Sequence, residues 1–245
     1  MVYPVELYDA IHRGTPGDVE FYRRVCHDAD SVLELGCGTG RVLSQLDDDG
    51  RRLVGVDVNT EALARAREVA PSARLVAADM RELALGEKFA RVIAPFNALY
   101  CLRDTAELAR TLTRVAEHLE PGGTFAADVW TADEFHAEAD PGDPEADELD
   151  FLVEVDLAGR LYQVFEASRW ERDDQRLETR YLYRGEGDER ETRLVHRYFL
   201  MPEIDRCLRA AGFRVRAFSG GFDGREWQAS EELTVIEACL EAQAS

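Results

Sequence analysis

Three glycines on alternate positions, Gly36, Gly38 and Gly40, directly follow a short apolar run. Glycine lets the backbone turn sharply and lets a ligand come close to main-chain atoms. Two acids, Asp57 and Asp79, follow the next two apolar runs along the chain. A carboxylate at the end of a buried strand can accept strong, charge-assisted hydrogen bonds from paired hydroxyl groups. The pattern therefore predicts a ligand site made of bare main chain and two acids.

The segments around these residues alternate between predicted strands and predicted helices. The strands are predicted at 31–35, 52–56, 73–77, 89–94 and 124–129, and the helices at 18–26, 41–46, 60–69 and 105–119. This alternation implies right-handed crossovers and a parallel sheet with helices on both faces. Ligands of open α/β sheets bind outside the carboxyl ends of the strands, which is where the glycines and both acids lie.

The periodicity changes after Trp130. Residues 131–148 are rich in Asp, Glu, Ala and Pro and are predicted to be an exposed linker. From Leu149 to Leu200 the period is two, with Asp173-Asp174 as a hairpin turn, which predicts an inserted antiparallel sheet. The first fold then resumes with a helix at 201–211 and strands at 213–218 and 233–240.

Other glycine-rich ligand motifs fit this chain less well. The dinucleotide fingerprint GxGxxG requires a third glycine where this chain has Arg41, so a nicotinamide or flavin oxidoreductase is the weaker interpretation. A P-loop is excluded, because no Gly-Lys-Ser or Gly-Lys-Thr follows. The glycines taken alone could be plain turn residues, and Asp57 and Asp79 could be helix caps.

Several segments in order resemble one family. Glu34-Leu-Gly-Cys-Gly-Thr-Gly40 is similar to the first motif of class I S-adenosylmethionine-dependent methyltransferases. Asp57 matches their ribose-binding acid, and Ala78-Asp79-Met80 matches the acid that receives the adenine amino group. Leu119-Glu-Pro-Gly-Gly123, predicted to turn before the fifth strand, matches a further motif. The resemblance covers roughly residues 30 to 130, and residues 201–245 fit the family's closing helix and strand hairpin.

The resemblance implies a Rossmann-like α/β fold: a seven-stranded methyltransferase sheet with helices on both faces and an inserted antiparallel β lid. Residues 1–130 and 201–245 would form the cofactor-binding domain, and residues 131–200 the lid over the acceptor site. The implied cofactor is S-adenosylmethionine. The residues predicted to bind it are Glu34, Gly36, Cys37, Gly38, Gly40, Asp57, Val58, Asp79, Met80, Phe96, Tyr8 and Arg13.

The acceptor is predicted to lie near residues 95–100, after the fourth strand. Nucleic-acid amino-methyltransferases carry Asp/Asn-Pro-Pro-Tyr/Phe there, whereas this chain has Ala94-Pro95-Phe96-Asn97. The candidate catalytic residues are Asn97, Tyr100 and His196, the last as a general base. A histidine at an alternating strand position more often only packs or faces water, and that alternative stays open.

The predicted reaction is in-line displacement of a methyl group onto a nitrogen or oxygen of a small molecule. The alternative is a non-catalytic S-adenosylmethionine-binding protein that regulates or dimerises. A net charge of −20 argues against nucleic acid and anionic membranes as partners. No apolar run is long enough to span a bilayer, and five scattered cysteines argue against disulfides and zinc. Residues 1–14 have neither the basic start nor the apolar segment of a signal peptide, so we expect none there. We therefore expect a cytoplasmic, metal-free enzyme, with a homodimer as one possible state.

Overall fold

The computed structural model describes residues 4–47, 50–138 and 148–241. The chain divides into two compact units, and the statements below concern their described residues. The antiparallel unit consists of Met1–Gly14 and Phe135–Tyr198, and the α/β unit of Thr15–Glu134 and Phe199–Ser245. Across the described residues, no helix is both long and apolar enough to cross a membrane.

Helices are interspersed with strands in the α/β unit, whereas strands follow one another directly in the antiparallel unit. The helices are α1 (Val5–Ile11), α2 (Asp18–Cys26), α3 (Thr60–Val69), α4 (Thr105–His118), α5 (Asp133–Glu138) and α6 (Met201–Ala210). The strands are β1 (Ser31–Leu35), β2 (Arg52–Asp57), β3 (Arg74–Ala77), β4 (Phe89–Ala94), β5 (Leu119–Trp130), β6 (Asp150–Leu157), β7 (Arg160–Glu171), β8 (Arg176–Gly185), β9 (Asp188–Arg197), β10 (Phe213–Ser219) and β11 (Leu233–Leu240).

The α/β unit contains a seven-stranded sheet in the order β10-β11-β5-β4-β1-β2-β3. Strands β1 to β5 pair in parallel, and β11 runs antiparallel to both β5 and β10. All five residues of β1 are buried, as expected for an apolar run at the centre of a parallel sheet. The predicted fold class is therefore confirmed. The carboxyl ends of the neighbouring strands β4, β1, β2 and β3 lie at one edge of the sheet.

The helix predicted at 41–46 is wrong in type, because only a 3-10 turn forms, over Leu43–Gln45. The segment is too short to offset the cost of nucleating an α-helix. Its main-chain hydrogen bonds include two between residues three positions apart, as in a 3-10 turn. Helix α3 agrees with the sequence: the Asn59 side chain accepts hydrogen bonds from the main-chain nitrogens of Glu61 and Ala62.

Two connections differ from their predictions. The turn predicted at 121–123 lies within β5, where the pairing register with β4 shifts between Phe89 and Arg91. The predicted exposed linker begins with Thr131 and Ala132, which are both buried, and continues as α5. Ala132 is small and apolar, and the Thr131 hydroxyl is hydrogen-bonded to the Thr234 hydroxyl at 2.8 Å, which offsets the cost of burying it. The remainder of that predicted linker, residues 139–147, lies outside the described residues.

The antiparallel unit contains the predicted second sheet, in the order β6-β7-β8-β9. The hairpin at Asp173-Asp174 is confirmed between β7 and β8. Residues 4–14, in contrast, belong to this unit and not to the α/β domain predicted for residues 1–130. The reason is that Leu7 of α1 is buried in this unit's core, and its carbonyl oxygen accepts a hydrogen bond of 2.7 Å from the Tyr183 hydroxyl.

Candidate functional site

The glycine segment after β1 forms a tight loop. The φ angles of Gly36, Gly38 and Gly40 are +64°, +52° and +83°, all in the left-handed region. The loop is fixed by two main-chain hydrogen bonds: Cys37 N donates to Val56 O at 3.0 Å, and Gly40 N donates to Cys37 O at 2.8 Å. The sequence prediction of a sharp strand-to-loop turn is therefore confirmed.

Two of these glycines have very different surroundings. A Cβ atom at Gly40 would lie 3.1 Å from Ala66 Cβ and 3.2 Å from Ala66 Cα, so this glycine allows close packing against α3. A Cβ atom at Gly38 would have no atom within 4 Å. Gly38 therefore presents bare main chain to open space, as a ligand that approaches the backbone requires.

Asp57 holds the glycine loop from the end of the neighbouring strand. Its Oδ2 accepts a hydrogen bond of 2.8 Å from Gly38 N, and its Oδ1 accepts one of 2.8 Å from Asn59 N. A carboxylate has about four lone-pair positions, so both oxygens keep capacity for further donors. The next residue, Val58, is 69% exposed. The predicted acid thus lies against the main chain of the predicted loop.

Asp79 lies two residues after the end of β3 and caps the 3-10 turn Met80–Glu82. Its Oδ1 accepts hydrogen bonds of 2.9 Å from both the main-chain N and the Nε of Arg81. Arg81 Nη1 also donates to Glu107 Oε1 at 2.5 Å, and Glu107 in turn pairs with Arg103. The Arg81 guanidinium and main-chain N–H hold the pKa of Asp79 below its usual value. Asp79 is thus ionised and held in a fixed orientation.

Two further predicted residues lie close to the loop or beneath it. A Cβ atom at Gly36 would be 3.8 Å from Met80 Cε, so the Met80 side chain lies beside the first glycine. The Cys37 side chain is buried under the loop, where its Sγ would be 2.8 Å from a Cβ atom at Gly55. Burial raises the pKa of the Cys37 thiol, so this side chain packs as a neutral group.

Glu34 is buried in β1, with 3% of its surface exposed. Its Oε2 has no hydrogen-bond partner among the described residues. Burial raises its pKa to about 8, a shift that Asp57 and Asp18 increase and Arg41 opposes. Arg41 is itself paired with Asp18, Nη2 to Oδ2 at 2.6 Å. The site therefore contains a buried carboxyl group with an unused oxygen.

A second buried acid organises the turn after β4. Asp128 Oδ1 accepts hydrogen bonds from the Tyr22 hydroxyl at 2.5 Å and from Phe96 N at 2.9 Å. Phe96 and Asn97 both have positive φ angles, of 52° and 60°, a left-handed conformation that few non-glycine residues adopt. Asn97 Oδ1 accepts a hydrogen bond of 2.8 Å from Trp130 N, so its side chain fixes this turn.

Tyr100, predicted as a catalytic candidate, is only 1% exposed. Its hydroxyl donates to Trp130 O at 2.7 Å and lies 3.2 Å from Phe199 O. Because this hydroxyl is buried and hydrogen-bonded to main-chain carbonyl groups, it supports the fold and is not available to a substrate. We therefore assign Tyr100 a structural role instead of the catalytic one.

The other predicted site residues, Tyr8, Arg13 and His196, belong to the antiparallel unit. Tyr8 stacks on His12 with 4.3 Å between ring centroids, and Arg13 is exposed, with its Nε donating to Ala10 O. His196 is half-buried, and burial lowers its pKa to about 4, so the imidazole is neutral at pH 7. These three residues therefore belong to a different unit from the glycine loop, Asp57 and Asp79.

Four functional candidates in the α/β unit were missed from the sequence: Asp18, Tyr22, Arg81 and Asp128. Only Asp128 gives a clear signal, as the one charged residue in the predicted buried strand Thr124–Val129. Asp18 resembles an ordinary acid in the first turn of a helix, and nothing local connects Tyr22 with a residue over a hundred positions away. Such pairs depend on the tertiary fold.

The buried Glu34 predicts a pH effect on stability. Between the ordinary glutamate pKa and about 8, the folded chain keeps the Glu34 proton while the unfolded chain has lost it. Stability therefore falls as pH rises through this window. We expect Glu34→Gln to reduce the decline in Tm between about pH 5 and about pH 8, with the exposed Glu117→Gln as the control. Parallel Tm profiles for E34Q and the unaltered protein would contradict this assignment.

Comparisons with known proteins agree with this geometry. The methyltransferase domain family matches residues 32–123. A curated relative, the dTDP-3-amino-3,4,6-trideoxy-alpha-D-glucopyranose N,N-dimethyltransferase of Streptomyces venezuelae, is 30% identical over 231 residues, which are 90% of this chain and 94% of the relative. Because this similarity spans both units, it concerns more than the cofactor-binding sheet.

Two solved structures are similar over almost the whole chain. The CcbJ methyltransferase of Streptomyces caelestis has 26% identity and a TM-score of 0.77, with 98% of this chain and 100% of that chain covered. S-adenosylmethionine-bound CalS10, an amino pentose methyltransferase of Micromonospora echinaspora, has 26% identity, a TM-score of 0.69 and 98% coverage of both chains.

This chain belongs to the class I S-adenosylmethionine-dependent methyltransferases. It is an enzyme whose methyl donor is S-adenosylmethionine, as its first motif and strand-end acids predict. The same comparisons favour the enzyme over the alternative of a non-catalytic cofactor-binding protein.

Proposed function

We propose that this enzyme methylates the amino group of an amino sugar. The observation that carries the proposal is the 30% identity to an amino-sugar N,N-dimethyltransferase over 90% of the chain, including the antiparallel unit. The net charge of −20 accords with a small acceptor rather than a polyanion. A second relative, a dTDP-3-amino-3,6-dideoxy-alpha-D-glucopyranose N,N-dimethyltransferase of Streptomyces fradiae, is 31% identical over 90% of this chain.

The α/β unit offers the features that S-adenosylmethionine requires. The Gly38 main chain faces open space for close approach, and Asp57 has lone pairs left for the ribose hydroxyls. The ionised Asp79 would accept from the adenine amino group, in the orientation that Arg81 imposes. The unpartnered Glu34 Oε2 would accept from the methionine ammonium group. Val58, Met80 and Phe96 would contribute apolar contacts around the cofactor.

S-adenosylmethionine supplies a methyl group already activated by its positively charged sulfur, so the protein chiefly aligns the reactants and excludes water. The strained turn at Phe96 and Asn97, held by Asp128, gives the acceptor side of the site a fixed backbone. The neutral His196 imidazole could accept a hydrogen bond from the acceptor but is a weak base. We propose that the antiparallel unit supplies acceptor contacts as the predicted lid. A homodimer and a cytoplasmic location stay predictions.

The test is methyl transfer to matched acceptors. Amino sugar nucleotides and their hydroxyl counterparts are incubated with S-adenosylmethionine, and S-adenosylhomocysteine and the product mass are measured. We expect turnover with the amino sugars and no product from the hydroxyl sugars. Turnover only with phenols, carboxylates or peptides would overturn the proposed acceptor class. Calorimetry with S-adenosylmethionine and with NAD checks the cofactor separately, and tight binding of NAD would contradict the site assignment.

A further inference from the structure

A carboxyl group with an unsatisfied oxygen lies near the end of β1. Glu34 is the last but one residue of this strand, just before the glycine loop, and 3% of its surface is exposed. Its neighbours in the sheet are Gly55 of β2 and Ile93 of β4, which carry no polar side chain. Its Oε2 has no hydrogen-bond partner in the part of the chain that the structure describes. The sheet therefore buries an acidic oxygen that no described donor satisfies.

The nearby donors that could serve Glu34 are used by other acids. Arg41 Nη2 donates to Asp18 Oδ2 at 2.6 Å, and the Tyr22 hydroxyl donates to Asp128 Oδ1 at 2.5 Å. Burying a charge that is neither paired nor hydrogen-bonded is costly. The neutral form of Glu34 is therefore favoured in the free site.

The electrostatic surroundings of Glu34 also favour its neutral form. Burial raises the pKa of Glu34 to about 8, Arg41 opposes this rise, and Asp57 and Asp18 add to it. Burial also raises the pKa of the nearby tyrosine and thiols, which are therefore neutral at pH 7. The titratable and charged groups that face Glu34 are Asp18, Tyr22 and Cys26 of α2, Cys37 in the glycine loop, Arg41 after it, and Asp57 of β2. The one cation in this set is already paired.

We propose that Glu34 is neutral in the free site and releases its proton to solvent when the ammonium group of S-adenosylmethionine binds at its Oε2. The carboxylate and the ammonium group then neutralise each other, and no bond of the cofactor forms or breaks. The inference rests on the proposed position of the ammonium group at Glu34, and it is independent of the acceptor. It makes cofactor binding a proton-coupled step.

The affinity for S-adenosylmethionine should therefore depend on pH. An opposite charge nearby lowers the pKa of a carboxyl group by about 1 to 3. Below the pKa of the free Glu34, binding must expel a proton, so affinity falls as pH falls. From about pH 7.5 to about pH 6 we expect a loss of roughly threefold to twentyfold. The acid side of a pH profile of kcat/KM for the cofactor would then report on Glu34 and not on a catalytic base.

The first experiment counts the protons released by the full-length protein. Calorimetric titrations are made in two buffers with different ionisation enthalpies. At about pH 7, S-adenosylmethionine and S-adenosylhomocysteine should each release roughly half a proton or more, because both carry the ammonium group. 5′-Methylthioadenosine has the adenosine and the sulfur but no amino acid, and it should release none. Equal release with all three ligands would overturn the inference. Release with S-adenosylmethionine alone would also overturn it, because the response would then belong to the sulfonium charge.

The second experiment assigns the proton to Glu34. Glu34→Gln removes the titrating group and keeps a hydrogen-bond acceptor of the same size. E34Q should release no proton with these ligands, and its affinity for S-adenosylmethionine should be nearly constant from about pH 6 to about pH 7.5. Its affinity for 5′-methylthioadenosine should not change, which shows that the adenosine site is intact. Glu117→Gln, at an exposed position of α4, should behave like the unaltered protein. The same proton release in E34Q and E117Q would contradict the assignment.

These measurements contain no acceptor, so they separate this inference from the proposed function. If the proton is released but no amino sugar is methylated, the proposed acceptor class is wrong and the role of Glu34 stands. If E34Q weakens S-adenosylmethionine binding by the same factor at every pH and leaves the proton count unchanged, the ammonium contact stands and the proton coupling fails.

Discussion

Asp57→Ala is expected to weaken S-adenosylmethionine binding by at least roughly a hundredfold. Hydrogen bonds to a charged group contribute about 1.5 to 3 kcal/mol each, and the proposed pair to the ribose hydroxyls would be lost. The substitution also removes the acceptor for Gly38 N and Asn59 N, both at 2.8 Å. Losing the carboxylate therefore removes the proposed contacts to the cofactor, and it also frees the glycine loop that we propose the cofactor approaches.

The measurement is calorimetric titration with S-adenosylmethionine, together with the free energy of unfolding. Asp104→Ala is the matched control, because Asp104 Oδ1 caps α4 by accepting from Glu107 N at 2.8 Å. Both variants should lose about 1 to 2 kcal/mol of stability from a missing acceptor. Only D57A should lose cofactor affinity. If D57A binds S-adenosylmethionine within threefold of the unaltered protein, the ribose assignment is wrong.

The positions of the strand ends follow from the sequence because local signals determine them. The buried run Ser31–Leu35, the glycines after it and the acid at Asp57 each have a specific backbone or burial requirement. The Asn59 cap of α3 is a similarly local signal. These features place the residues predicted to bind the cofactor at neighbouring strand ends, and parallel pairing alone then brings them to one edge of the sheet.

The charge network of the site does not follow from the sequence in the same way. Arg41 has a clear sequence role only as the residue that breaks a dinucleotide fingerprint, but in the structure it pairs with Asp18, 23 positions away. Arg81 connects Asp79 to Glu107, which lies 26 positions beyond Arg81 in the chain. Tertiary packing determines which of several partners a long charged side chain pairs with. Spacing along the chain therefore carries little information about these pairs.

Breaks in the alternation of a strand are equally difficult to predict. The period of two predicted for residues 149–200 puts Phe151, Val153 and Val155 on one face of a strand, yet Phe151 is 57% exposed and Val155 only 3%. The pairing register shifts between Phe151 and Val153, which turns the earlier residue away from the core. The N-terminal helix is likewise placed by tertiary contacts, because Leu7, Ala10 and Ile11 pack in the core of the antiparallel unit and no local signal in the sequence indicates this.

The glycine loop allows cofactor contact and folding to be separated by two substitutions of the same kind. Gly38→Ala places its methyl group in open space, with no atom within 4 Å, at a φ angle of +52°. The left-handed backbone costs an alanine about 1 to 2 kcal/mol, so the protein should still fold. In the proposed site, the same methyl group would occupy the space through which the cofactor reaches the Gly38 main chain. We expect G38A to lose at least roughly tenfold in affinity for S-adenosylmethionine.

Gly40→Ala should have the opposite balance of effects. Its methyl group would press against the Ala66 main chain at 3.2 Å and Val69 Cγ2 at 3.2 Å, at a φ angle of +83°. Overpacking and backbone strain together should cost about 2 to 4 kcal/mol of unfolding free energy. Gly86→Ala, at +72° with no atom within 4 Å, measures backbone strain alone. Chemical denaturation of all three variants measures the loss of stability, and titration with S-adenosylmethionine measures the loss of affinity. Equal affinity in G38A and G86A would mean that the cofactor does not approach the loop at Gly38.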